Sequence, residues 1–358
     1  MRRAFAAAVV GLFVLASVPA QAADVVYTWF GDYVEALRVQ LGIPGLAAAI
    51  VGPTDVLWER GFGYQDVSRS LPMRPDTPIP ADGLTQVFTA SFMLQCAEAN
   101  HLALDDAIGA YLADAPEPTA TFRQLLSHTT RSAAGLTFQY RPERLDALAG
   151  VIRRCTGASY LSTTAHELDR LAMVNSVPGA DVLSFLPPPD PLDPASESTR
   201  YSAALERLTK LYSVDTQKRA TQVGLTPAAQ TLSPSTGLIT TVRDYAQFDL
   251  ALRGGILMTP ETLAEAWRPS VDATGKALPH GLGWFVQSYN GEPVIWQFGS
   301  AGDAGSSSMV ITMPTRGLTL VLMANSSGLV KTFPLAKGDV TTSPFARIFL
   351  SLFTRSTP

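Results

Sequence analysis

The residues able to do chemistry in this chain are few and scattered. Four histidines stand at 101, 128, 166 and 280, and the two cysteines at 96 and 155. A zinc site draws its ligands from close Cys/His pairs, and no such spacing occurs, so no metal and no cofactor is expected. Ser127 and His128 are adjacent, and neighbours on a helix do not face each other, so the pair reads as a structural turn. Asp82 precedes an apolar helical run. A carboxylate there reads first as an N-cap and second as an acid/base group. Each cysteine lies in an apolar helical pattern and reads as a buried thiol packing as a small hydrophobe. Two cysteines do not make a disulfide framework, and their pairing stays open.

The elements that would position these groups follow from periodicity. Phe30, Tyr33, Leu37 and Leu41 recur at helical spacing, and Gly42 follows as a stop. Leu46–Val51 and Val56–Phe62 flank the turn Gly52-Pro53 and predict a hairpin. Leu84–Ala99 and Leu145–Arg154 read as helices, the second stopped at Gly157. FLPPPDPLDP at 185–194 reads as a linker or surface loop. Strand-like runs then come in series at Gly283–Gln287, Pro293–Gln297, Ser308–Met313 and Leu318–Ala324, before a terminal docking helix over Phe345–Phe353. Strands at both ends and helices between predict an α+β fold, in which the two ends pair into one sheet and the middle, roughly 80–235, forms a helical region.

Composition excludes several classes. The 358 residues carry 27 Lys+Arg against 31 Asp+Glu, a net charge of −4, with 46% apolar and 16% charged residues. That is too apolar for disorder and not basic enough for a nucleic-acid partner held by phosphate neutralisation. At the start, Arg2 and Arg3 precede the apolar run Ala4–Val18, followed by Ala20-Gln21-Ala22. This order predicts a secretory signal over 1–22 and a mature domain over 23–358. The run is shorter than the roughly 20 residues of a membrane span, so no span is expected after signal removal, and the protein is expected to be exported, periplasmic or extracellular.

In its ordered segments the chain resembles the serine β-lactamase-like family, close to class C β-lactamases, related esterases and DD-peptidases. The resemblance rests on IPGLAAAIVGPTDVLWERGFGYQDVSRSLPMRPDTPIP at 43–80, FTASFMLQCAEANHLALDDAIGAYL at 88–112, FRQLLSHTT at 122–130, CTGASY at 155–160, STGLITTVRDYAQFDLALRGGILMTPETL at 235–263 and HGLGWFV at 280–286. It covers roughly 30–353. It implies an antiparallel sheet flanked by helices, a helical region, and an active site between them.

The resemblance also implies a chemistry whose parts are replaced here. Such enzymes acylate a serine in S-x-x-K at a helix start, where residues three apart share a face and the helix N-terminus favours developing negative charge. The aligned positions are Gly83 for the nucleophile and Gln86 for the lysine. The Y-x-N motif falls on Tyr140-Arg141-Pro142, keeping the phenol and losing the amide. The third motif, K-T-G or H-x-G, falls on Phe298-Gly299-Ser300, with an apolar ring at the basic position and Ser300 at the glycine. No shift of alignment restores the site. The five lysines, at 210, 218, 276, 331 and 337, follow Arg207, Asp215, Ala273, Gly328 and Pro334 by three residues. Thr85, two residues past Gly83, turns roughly 200° away from the cleft.

These replacements predict a catalytically inactive family member with a binding or scaffolding role in the cell envelope, its partner a small molecule or an envelope protein. The competing expectation is replaced acyl-processing chemistry, an esterase or amidase, built around Tyr140 and Asp82 at the mouth of the former site. Phe298 and Gln86 are expected to line an uncharged cleft. A relic without a selected role is the third reading.

Overall fold

The computed structural model describes residues 20–133, 135–190, 192–193, 195–226, 230–302 and 305–355. All but Ala20–Ala22 of the expected export signal lies outside them. Helix α1 (Ala20–Leu41) is followed by β1 (Gly45–Val51), β2 (Val56–Asp66) and β3 (Leu71–Pro72). Then come β4 (Ile79–Pro80), a 3-10 turn (Asp82–Leu84), and helices α2 (Thr85–Glu98) and α3 (Phe122–Leu126). The hairpin β5 (Thr129–Ser132) and β6 (Gly135–Phe138) leads to α4 (Leu148–Thr156), α5 (Tyr160–Arg170) and α6 (Glu197–Glu206). A second hairpin, β7 (Leu211–Val214) and β8 (Ala220–Val223), is followed by β9 (Ile239–Thr240), α7 (Val242–Arg253) and α8 (Pro260–Ala266). The chain closes with β10 (Phe285–Tyr289), β11 (Glu292–Ser300), β12 (Ser307–Met313), β13 (Leu318–Ala324) and α9 (Pro344–Arg355).

Seven strands form one sheet in the order β10-β11-β12-β13-β1-β2-β3, every neighbour antiparallel. The two chain ends meet at β1 and β13, where Leu46 pairs with Ala324 and Val51 with Thr319. The expected α+β fold therefore stands, with one sheet built from both ends. The middle is mostly helical and carries the two small hairpins.

Alternation explains why β1 is buried along its whole length. Leu46, Ala48 and Ile50 face α1 and α9, while Ala47, Ala49 and Val51 face the core around α2 and α7. A strand covered on both faces needs apolar residues at every position. Gly45 carries no side chain because a Cβ there would stand 2.2 Å from the Tyr64 carbonyl oxygen. The Asn325 amide fills the adjoining polar space, accepting from Gly45 N at 2.8 Å and donating to Tyr64 O at 3.0 Å.

The cysteine reading is corrected here. Cys96 near the end of α2 and Cys155 near the end of α4 are joined as a disulfide, with Cα atoms 6.1 Å apart. A helical pattern marks each residue as inward-facing but does not say that the two faces meet. Cys155 is only half-buried, with His101 Nδ1 3.2 Å from its sulfur. Among the described residues, no helix is long and apolar enough to cross a membrane.

Candidate functional site: a cleft filled by its own backbone

The start of α2 meets the end of β11 without a side chain between them. An added Cβ on Gly83 would stand 2.5 Å from the Phe298 carbonyl oxygen and 3.2 Å from Gly299 Cα. An added Cβ on Gly299 would stand 2.4 Å from Ala81 O, 2.4 Å from Ser308 Oγ and 2.6 Å from Gly83 N. Ser308 fixes this approach by donating to Ala81 O at 2.6 Å. Position 83, where the resemblance is expected to place a serine, thus has neither a hydroxyl nor the space for a side chain without movement of the strand.

Asp82 is not the N-cap that its sequence position suggests. It caps nothing: neither the 3-10 turn nor α2 has a side-chain cap. The reason is its backbone, which lies in the left-handed region at φ +49° and turns the side chain inward. The carboxyl is 2% exposed rather than at an open mouth. Among the described residues its Oδ2 has no hydrogen-bond partner, nor has the Ser306 hydroxyl. Burial pushes the carboxyl up to about 8, the nearby Ser306 hydroxyl opposing the shift in smaller part, because low-dielectric surroundings disfavour the ionised form. At neutral pH Asp82 is largely a neutral acid.

Gln86, at the position the resemblance is expected to give a lysine, is fully buried. His128 Nδ1 accepts from Arg141 N at 3.3 Å, so the ring proton is on Nε2. That Nε2–H donates to Gln86 Oε1 at 3.1 Å. Gln86 Nε2 donates to the Tyr140 hydroxyl at 2.8 Å, which donates to Gln297 Oε1 at 3.4 Å. Gln297 Nε2 donates to Gly283 O at 3.1 Å. Every link runs in one direction and ends on a carbonyl.

Burial keeps each member neutral. It holds the His128 imidazole well below its ordinary range, with His280 adding to the effect. His280, edge-on to His128 at 4.8 Å between ring centroids, is lowered to about 4. Burial raises the Tyr140 phenol, with the bond from Gln86 opposing in smaller part. All five lysines lie exposed elsewhere.

The remaining expected positions are structural in kind. Thr85 is buried, donates to Asp82 O at 2.7 Å and accepts from Leu238 N at 3.3 Å. Pro142 opens the 3-10 turn Pro142–Ala147. Phe298 packs its ring against Tyr140 at 5.2 Å and Trp296 at 6.1 Å, so it is its carbonyl that walls in Gly83. Ser300 ends β11, exposed, and accepts from Gly302 N at 3.1 Å. Gln297, His128 and Ser308 were not singled out by the sequence as parts of this site, and Gly299 was named only as the middle residue of the third motif. For Gln297 and Gly299 the strand alternation that turns Ile295, Gln297 and Gly299 toward α2 carried a signal.

Across known proteins, the model of the Beta-lactamase family matches residues 30–338. The chain belongs to the β-lactamase family. Curated relatives match over shorter stretches. Protein flp of Staphylococcus aureus is 30% identical over 101 residues, 26% of this chain and 20% of that protein. The human mitochondrial serine beta-lactamase-like protein LACTB is 26% identical over 104 residues, 27% of this chain and 19% of that one. The match thus spans about a fifth of these relatives' length. Solved structures share the fold over most of the chain. The octameric penicillin-binding protein homologue from Pyrococcus abyssi superposes with a TM-score of 0.68 at 18% identity, covering 84% of this chain and 74% of that one. D-alanine carboxypeptidase AmpC from Burkholderia cenocepacia gives 0.69 at 18% identity, covering 92% and 99%.

Proposed function

We propose that this β-lactamase-family protein has lost acyl-enzyme chemistry and serves as an exported binding or scaffolding protein of the cell envelope. The observation that carries the reading is the Gly83 contact, where a Cβ would lie 2.5 Å from the Phe298 carbonyl oxygen. Loss of a catalytic serine alone costs on the order of a million-fold in turnover. Here the base position is also an amide committed to two hydrogen bonds. Export is supported by Arg2-Arg3, the apolar run Ala4–Val18 and the small-residue site at Ala20–Ala22.

Replaced chemistry at Tyr140 or Asp82 has less support. The phenol is raised and tied to Gln86 and Gln297, and the carboxyl is enclosed. The test is incubation with a fluorescent penicillin, a chromogenic cephalosporin and a chromogenic ester. No covalent label and no turnover are expected. Labelling or turnover that Tyr140→Phe abolishes would overturn the proposal.

A further inference from the structure

The end of α2 sets a histidine against the disulfide. Asn100 turns into the left-handed region at φ +58°. Its N–H donates to Ala97 O at 3.0 Å, and the His101 N–H donates to Cys96 O at 3.0 Å. This pair of bonds closes a helix on a left-handed residue, and it fixes His101 one turn beyond Cys96. The ring then reaches the partner sulfur, with Nδ1 3.2 Å from Cys155 Sγ. A histidine is thus held beside the disulfide by the way the helix ends.

The two sulfurs are not equally accessible. Cys96 is 2% exposed, whereas Cys155 is partly exposed and borders two cavities. The wider, about 530 Å³, touches Cys96, Cys155 and His101. The narrower, about 300 Å³, is lined by Cys155, His101, Leu102, Tyr111, Val151 and Arg154, and Cys96 is not among its walls. Thiol–disulfide exchange is an in-line displacement: the entering thiolate approaches one sulfur from the side opposite the sulfur that leaves, and access decides which is struck. An approach from the narrower cavity meets Cys155 without meeting Cys96. Arg154 stands there with a permanent positive charge, its guanidinium also donating to the Tyr111 carbonyl.

We propose that Cys155 is the entry point of a thiol–disulfide exchange site that takes a small anionic thiol. The entering thiol gives its proton to His101, which acts as a general base. Its sulfur bonds to Cys155 Sγ, the Cys96–Cys155 bond breaks, and the electron pair leaves on Cys96. The thiol sulfur is oxidised and the Cys96 sulfur reduced, so no further oxidant or reductant enters. His101 and Cys96 border the same wider cavity, through which the proton passes on to the Cys96 thiolate. The product is a mixed disulfide on Cys155 and a buried Cys96 thiol, with α2 and α4 no longer joined. The exchange is independent of the loss of acyl chemistry, since neither Gly83 nor Gln86 takes part.

The test exposes the full, disulfide-bonded chain to 2-mercaptoethanesulfonate or 2-mercaptoethanol, quenches with acid, and maps adducts by peptide mass spectrometry. The adduct should sit on Cys155 over Cys96 by about tenfold or more, forming at a rate that sub-denaturing urea leaves unchanged. His101→Gln should slow both thiols by about tenfold with an unchanged melting temperature. Arg154→Gln should slow the sulfonate by about threefold more than the neutral thiol. Adducts on Cys96, or a rate that climbs with urea as exchange through unfolding does, would overturn the proposal. Equal rates in wild type and His101→Gln would overturn it as well. An Arg154→Gln effect that is the same for the two thiols would overturn the preference for an anionic one.

Discussion

Gly83 and Gly299 pack backbone to backbone, so that a Cβ on Gly299 would lie 2.6 Å from the amide nitrogen of Gly83. The contact joins the start of α2 to β11, and under the proposed reading it occupies the place of a serine nucleophile and its substrate. Its consequences can be measured.

Restoring the motif should not restore the enzyme. Gly83→Ser/Gln86→Lys must push its new Cβ into the Phe298 carbonyl and bury an ammonium between His128 and Tyr140. Overpacking alone costs about 1–3 kcal/mol, and the unpaired charge adds to it. Urea denaturation should show the loss, and fluorescent penicillin should leave the double variant unlabelled. A stable, covalently labelled variant would show that the strand yields readily.

The relay through Gln86 should behave as one unit. Tyr140→Phe leaves Gln86 Nε2 without its acceptor, and Gln86→Met leaves the His128 and Tyr140 partners unmet. Each should cost about 1–2 kcal/mol. In the double variant the losses should fall short of their sum by at least 0.5 kcal/mol, a coupling of the order seen for groups in one network. Simple additivity in a double-mutant cycle would mean the bonds are independent.

Stability should fall as pH rises through neutrality. Asp82 has its folded pKa raised from the ordinary 3.8 to about 8. The folded state therefore holds a proton that the unfolded state gives up near pH 4, and that stabilisation is lost as pH climbs through about 8. His280, lowered to about 4, and His128 act oppositely, destabilising the fold as pH drops from 6.5. The window from about 6.5 to 8.5 isolates Asp82. Denaturation midpoints of wild type should decline across it, and those of Asp82→Asn should stay nearly level. Parallel slopes would clear Asp82 of the effect.

The disulfide should be a strong stabiliser. It closes a loop of sequence separation 59, worth roughly 4 kcal/mol in chain-entropy terms. Reduction, or Cys155→Ser, should lower the melting temperature by several degrees. Mass spectrometry after alkylation under non-reducing conditions should find neither thiol modified; two alkylated cysteines would contradict the pairing.

Much of the architecture was legible in the sequence because it rests on local rules. Alternation and turn residues located the hairpin β1–β2 and the strands β10–β13, and helical spacing located α1, α2 and α9. The site was legible only as substitutions. Its actual bonds join residues 42, 54 and 157 positions apart, and no spacing rule connects them. The N-cap reading of Asp82 failed because its left-handed backbone depends on the fit of the turn against β11. Cys96 and Cys155 were misjudged because periodicity shows which way a helix faces, not what it faces.

The one-way chain from Arg141 to Gly283 has a consequence for motion. It starts beside the β5–β6 hairpin, passes through α2 and ends on the sheet side at Gln297 and Gly283. Opening between the helical lobe and the sheet would therefore break several buried bonds together. Hydrogen exchange in α2 and β11 should then report a single cooperative unit, released only near global unfolding, rather than a hinged cleft that breathes.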